Sequence, residues 1–311
     1  MLFIWMTRMF RNLPSPLLFL VAALAMAPGA DASLDNSTPN FSAVGAAAGG
    51  QLGAAVSDAG DLNGDGYRDL AVAAPDLGNG QAGEGLVYVY FGSANGIAAS
   101  PSLTLEVNQA GARFGASVSG GGDVNGDGYD DLLVGATLWD EPGVSNGGRG
   151  FLFLGGAAMD SSFDASFGPS QANSELGGSV AIVGDVNADG YADMLLGARL
   201  YDIGAATNAG RAFLYFGAAV VDVGIDAQLG SSQANSEYGT SVAGIGDVDG
   251  NGRNDILVGA PRYTDGQTNE GAAFLHLAGN SGSGFAPSPS LIIEGGLAEA
   301  RFGRTVQGLG D

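Results

Sequence analysis

The chain has 311 residues, with 33 acidic side chains against 11 Arg, no Lys and no Cys, and a formal net charge of −22. That excess of negative charge argues against nucleic acid or an anionic membrane surface as a partner. The missing thiols exclude disulfide staples, thiolate metal sites and thiol catalysis.

In chain order, residues 1–32 read first as a secretory signal peptide. Arg8 and Arg11 make a basic start, Leu17 to Ala27 is apolar but too short to span a bilayer, and Ala30-Asp31-Ala32 supplies small residues for cleavage. An uncleaved membrane anchor is the competing reading, and no stop-transfer pattern follows to favour it. Cleavage would leave a secreted, periplasmic or cell-surface chain with nine Arg and 32 acids, net −23. Residues 33–45 form a linker that contains Asn36-Ser-Thr38, a match to an N-glycosylation acceptor.

From residue 46 onward the chain repeats every 62 residues. Each unit opens on a large apolar residue and Gly: Leu52-Gly53, Phe114-Gly115, Leu176-Gly177 and Tyr238-Gly239. A short alternating run such as Ala116-Ser-Val118 or Ser241-Val-Ala243 then leads into an acidic loop. Out of that loop comes a continuous apolar run: Leu70 to Ala74, Leu132 to Val134, Met194 to Leu196 and Ile256 to Val258. A connection rich in Gly and Asn follows, then an aromatic run: Leu86 to Phe91, Phe151 to Leu154, Ala212 to Phe216 and Ala273 to Leu277. A weaker fourth run is clearest at Ser102 to Glu106 and Ser290 to Ile293. Short apolar and aromatic runs between turn residues are strands, and no stretch sustains a helical period. Four strands in each unit of about 60 residues predict an all-β fold, a β-propeller of four-stranded blades over residues 46–311.

The acidic loops share one design. The first reads Asp61-Leu-Asn63-Gly-Asp65-Gly66-Tyr67-Arg-Asp69, with oxygen side chains at positions 1, 3, 5 and 9 and Gly at 6. The same places hold Asp123, Asn125, Asp127 and Asp131 in the second loop, and Asp185, Asn187, Asp189 and Asp193 in the third. In the fourth they hold Asp247, Asp249, Asn251 and Asp255. Position 7 would add its backbone carbonyl, from Tyr67, Tyr129, Tyr191 and Arg253. Six or more oxygens with water suit Ca²⁺ better than Mg²⁺, and the absence of imidazole or thiolate disfavours zinc and copper. An EF-hand would need a bidentate Glu at position 12, where this chain has Val72, Val134, Leu196 and Val258. The plain alternative is an Asp/Asn/Gly turn that binds nothing. Against it, three carboxylates crowded into one turn repel one another without a cation, and the arrangement recurs four times. Twelve acids occupy these positions, so four divalent ions would bring −23 to about −15.

The loops, the Phe114-Gly115 and Phe302-Gly303 openings and the Gly259-Ala260-Pro261 exit resemble FG-GAP repeats, as found in the β-propeller of integrin alpha subunits and in many bacterial exported proteins. The resemblance covers roughly residues 40 to 311. It departs from the pattern at Leu52-Gly53, Ala73-Ala74-Pro75, Gly135-Ala136-Thr137 and Gly197-Ala198-Arg199. It implies Ca²⁺ in the loops on one face, with ligands and partner chains engaging the opposite face. It also implies a ring of seven blades, so four units and a fifth begun at Phe302-Gly303 and reaching Gly310-Asp311 are expected to be part of a larger ring. Residues around Asn40 to Val44 would be the strand that fastens its last blade.

Two functional classes follow. One is an exported, calcium-binding propeller that recognises a protein or glycan, with cell adhesion as one setting. The other is the propeller portion of an extracellular polysaccharide lyase or phosphodiesterase, its catalytic part elsewhere. His276, the only His, sits in an aromatic strand, where packing is the simpler reading. Gly282-Ser-Gly lacks the strand-to-helix context of a nucleophile elbow. Asp140-Glu141 reads as a solvated connection. This chain is therefore expected not to be an enzyme. Trp139 and Tyr201, at matching places after the second strand, are candidates for an aromatic ligand-binding strip, with packing between blades as the competing role.

Overall fold

A computed structural model describes residues 49–279 and 285–308. Chain contacts divide the molecule at Ser33, and every described residue belongs to the second unit, Leu34–Asp311. The expected signal peptide, the linker with Asn36, the strand around Asn40 to Val44, Gly282-Ser-Gly and Gly310-Asp311 lie outside the described residues.

Among the described residues, sixteen strands make four antiparallel sheets of four, each in sequential order. The first sheet holds β1 (Val56–Gly60), β2 (Asp69–Ala74), β3 (Leu86–Tyr90) and β4 (Leu103–Leu105). The second holds β5 (Phe114–Gly122), β6 (Asp131–Ala136), β7 (Arg149–Phe153) and β8 (Ala165–Phe167). The third holds β9 (Leu176–Gly184), β10 (Asp193–Ala198), β11 (Arg211–Tyr215) and β12 (Ala227–Gly230). The fourth holds β13 (Ser241–Gly244), β14 (Ile256–Ala260), β15 (Ala272–His276) and β16 (Leu291–Glu294). Among the described residues there is no helix, and so none long and apolar enough to cross a membrane.

The apolar runs predicted as second and third strands are the central strands of each sheet. β6 and β10 are buried along their whole length. A strand covered on both faces loses the polar alternation of a half-exposed one, hence the continuous apolar runs. The innermost strands pack in order, β1 on β5, β5 on β9 and β9 on β13. The sheets are therefore propeller blades, and the four of them leave the ring open.

The core lies between blades. Leu105 of β4 packs with Phe114, Phe151 and Phe153 of the second blade. Phe167 of β8 packs with Tyr215 of the third, their rings edge-on at 4.9 Å. Leu229 of β12 packs with Ile256 and Phe274 of the fourth. Burying one such side chain contributes about 1.5–3 kcal/mol. Ile293 occupies the same register place in β16, opposite Ala273, and is 42% exposed where the other three are fully covered. Phe302 is likewise 42% exposed, against 0% for Phe114.

The glycines of the opening and exit motifs meet across each junction. A Cβ added to Gly135, Gly197 or Gly259 would overlap the carbonyl oxygen of Gly177, Gly239 or Gly303 in the following unit. The motif thus encodes close backbone approach between blades. The first unit departs from it with Ala73, and there a Cβ on Gly115 would stand 2.9 Å from the Ala73 methyl.

Candidate functional site

Each acidic loop joins the first two strands of a blade. Register shifts at Gly60, Gly122 and Gly184 mark bulges just before the first three loops, which turn the chain out of the ladder. Position 1 then organises the loop. Asp61 accepts N–H groups from Asp65 at 3.0 Å and Gly66 at 2.8 Å. Asp123 accepts those of Gly126 and Gly128 at 2.6 and 2.8 Å, and Asp185 those of Ala188 and Gly190 at 2.6 and 2.9 Å. In the fourth loop Gly252, Asn251 and Gly250 all donate to Asp247, and these bonds hold its carboxyl below the usual carboxylate range.

Positions 3 and 5 face each other. The amide nitrogens of Asn63, Asn125 and Asn187 donate to the carboxylates of Asp65, Asp127 and Asp189 at 3.2, 2.9 and 2.7 Å. The fourth loop exchanges the residue types. Asp249 stands at position 3, and one oxygen each from Asp247, Asp249 and Asp255 lie within 4.8 Å of one another. Three carboxylates this close suit a hard cation that accepts oxygen ligands.

Position 9 does more than the sequence indicates. Asp131, fully buried, accepts N–H from Val124 at 2.7 Å in its own loop and from Gly155 at 2.8 Å just past β7. The same pair of bonds recurs at Asp69 with Leu62 and Gly92, at Asp193 with Val186 and Gly217, and at Asp255 with Val248 and Ala278. Each carboxylate therefore ties its loop to the exit of the third strand. Burial raises Asp131 and Asp193 to about 7 and Asp69 to about 6, with the two N–H bonds opposing the shift. Asp255 shifts upward for the same reason.

The loops are also joined to one another. The N–H at position 8 of each loop bonds the position 1 carbonyl of the loop before: Asp130 to Asp61, Ala192 to Asp123 and Asn254 to Asp185, at 2.9–3.2 Å. The Asp130 carboxylate adds a bond from the Asp61 N–H at 2.7 Å. The position 7 side chain covers the preceding loop, so a Cβ on Gly126 would lie 2.5 Å from the Tyr191 ring, and Tyr129 covers Gly64 in the same way. The third loop has Ala188 at that place, with φ 62°, and the fourth has Arg253 in place of Tyr, donating to the Asn187 carbonyl at 2.6 Å. The Ala methyl and the missing ring compensate each other. Arg253→Tyr is therefore expected to destabilise by about 1–3 kcal/mol through overpacking. Arg253→Tyr combined with Ala188→Gly should recover most of that loss. A double-mutant cycle by denaturant unfolding with a coupling near zero would refute the pairing.

The opposite ends of the inner strands carry a second belt. Gln109 donates to the Asp140 carbonyl at 2.9 Å and accepts the Asp140 N–H at 2.6 Å. Gln171 does the same with Asp202, and Gln233 with Thr264. The Gln-Ala ahead of three opening residues, Phe114, Leu176 and Tyr238 (Gln109-Ala110, Gln171-Ala172, Gln233-Ala234), was a sequence signal for these contacts. Trp139 and Tyr201 are half-buried and edge-on to Phe151 and Phe213, at 5.1 and 5.3 Å between ring centroids. Tyr263 stands against Phe274 in the same manner at 5.2 Å. His276 is 1% exposed, bonded to the Tyr238 hydroxyl at 2.7 Å, and burial lowers it to about 4, so it stays neutral within the sheet.

Blades that meet through paired glycines, each with one acidic loop, define the FG-GAP class of propeller. An FG-GAP repeat family model matches residues 53–90, 114–153, 176–215 and 238–276, together just over half of the chain. The protein belongs to the FG-GAP repeat family. Integrin alpha-5 of Xenopus laevis is 32% identical over 213 residues, covering 65% of this chain and 19% of that protein. Integrin alpha-IIb of Mus musculus is 42% identical over 101 residues, 32% of this chain and 10% of that protein. Integrin alpha-V of Gallus gallus is 47% identical over 91 residues, 28% and 8% respectively. The chain thus spans less than a fifth of the length of these relatives.

Proposed function

We propose that this chain is an exported, calcium-stabilised propeller for extracellular recognition of a protein or glycan partner, and not an enzyme. Its membership alongside integrin alpha chains favours a role in adhesion at the cell surface or outside it. Each Ca²⁺ would be held by the side chains at loop positions 1, 3, 5 and 9 and the carbonyl at 7. When bound, the ion would neutralise carboxylates that otherwise repel. The protein's own contribution is positioning: position 1 gathers loop N–H groups, and position 9 fastens the loop to the third strand. Residues 1–32 would direct export, and residues 33–45 would lead into the propeller. The bare outer face of the fourth blade, where Ile293 is exposed, and the exposed Phe302 that opens the next unit favour a further blade beyond it.

The observation that carries the calcium reading is the convergence of Asp247, Asp249 and Asp255. Calorimetric titration of Ca²⁺ into the chelator-treated chain should register about four equivalents, one for each loop. Asp249→Ala should remove about one equivalent and leave the others. Absence of binding, or a stoichiometry indifferent to Asp249→Ala, would count against this assignment.

A further inference from the structure

The cations of this acidic chain are not spread evenly. Nine Arg follow residue 32, and five of them, Arg113, Arg199, Arg262, Arg301 and Arg304, line a single cavity of about 450 Å³. Two acids line it as well, Glu175 and Glu237, so its wall carries +3 while the whole chain carries −22. The position is set by the repeat. Arg113, Glu175, Glu237 and Arg301 each precede an opening residue and share a left-handed backbone, with φ of 52–55°. Arg199 and Arg262 lie just past the second strands. All are at the ends of the inner strands opposite the acidic loops, so the cavity is the axial mouth of the other face.

Part of this charge is internally matched. Arg199 donates to Glu175 at 2.5 and 2.9 Å, and Arg262 pairs with Glu237 at 3.3 Å. Arg113 bonds Asp76 at 3.0 Å. Arg301 has only an open 3.9 Å contact with Glu299, both side chains about half-exposed. Arg304 is exposed and, among the described residues, has no ion-pair partner. The unmatched positive charge of the mouth therefore falls on Arg301 and Arg304. Guanidinium groups bind carboxylates in bidentate fashion. The wall has no aromatic ring on which a sugar could stack, while Thr137, Thr240 and Gln51 offer the mixed donors and acceptors that suit a peptide backbone.

We propose that this axial mouth is a binding site for an acidic peptide segment of a protein partner, held by Arg301 and Arg304. The inference deepens the recognition reading above and rests on it. The test uses fluorescein-labelled hexa-aspartate and the full chain in calcium, followed by fluorescence anisotropy. Saturable one-to-one binding is expected, weakening as salt rises, with labelled hexaserine inert. The Arg301→Gln/Arg304→Gln variant should bind at least tenfold more weakly, and Arg304→Lys should keep part of the affinity. Arg211→Gln, on β11 and away from the mouth, should change nothing. No binding of hexa-aspartate, or binding indifferent to the double substitution, overturns the site. Arginine-dependent binding of a labelled oligogalacturonate, without hexa-aspartate binding, overturns the peptide assignment. Melting the same samples with and without calcium keeps the two readings apart. A calcium shift without peptide binding sinks this inference alone, and arginine-dependent peptide binding without a calcium shift sinks only the calcium reading.

Discussion

Replacing 1 mM CaCl₂ with excess chelator should lower the melting temperature of this chain by 10 °C or more, the largest effect expected from any change of solution. A ligand that binds only the folded state stabilises by about 2.7 kcal/mol per site when its free concentration is a hundred times Kd. Even two such sites amount to about 5 kcal/mol, and in a domain of this size each kcal/mol shifts melting by roughly 2–4 °C. The effect should be global. Each loop is bonded to the loop before it through position 8, and to its own third strand through position 9. Loosening one loop therefore loosens both a junction and a sheet. Magnesium should restore little, because it prefers a tight octahedron with several retained waters. A midpoint that is the same in calcium and in chelator, followed by circular dichroism, would rule out a stabilising role for the ion.

The second large effect is steric. Gly197→Ala places a methyl where the carbonyl oxygen of Gly239 already lies, and the obstacle is backbone, not a flexible side chain. The third and fourth blades must separate to admit it, and the cost should reach about 3 kcal/mol, the upper end for overpacking. Gly143→Ala is the matched control. Gly143 has φ 83° with nothing within 4 Å of an added Cβ, so only the strain of a left-handed residue is introduced, about 1–2 kcal/mol. If denaturant unfolding gave Gly197→Ala a loss no larger than the control, the close-approach account of these glycines would be wrong. Ala73 defines the boundary of the rule, since the junction of the first two blades tolerates a methyl at that place.

Much of this was legible locally. The 62-residue period, the apolar runs of β2, β6, β10 and β14 and the Asp/Asn/Gly loops lie within short windows. Turn chemistry and strand burial act over those same windows, so a linear reading found blades and loops together. The openings at Phe114 and Leu176 were also visible, although the structure carries them into the first strand of their blades, which the shorter alternating runs did not suggest.

What the linear reading could not supply depends on residues brought together across blades. Asp131 looks like one more loop oxygen in the sequence, yet its carboxylate also holds Gly155, 24 residues on. The match of Ala188 with Arg253 appears only when one loop is laid over the next. The five Arg are scattered over nearly 200 residues, and their shared mouth exists because the repeat returns the chain to the same axis. The sequence by itself determined the strands, the turns and the oxygen-rich loops, since backbone preference and local burial decide these. Only the tertiary structure decided which glycines touch, which carboxylates bridge and where the positive charge collects, because those follow from the spacing of neighbouring blades.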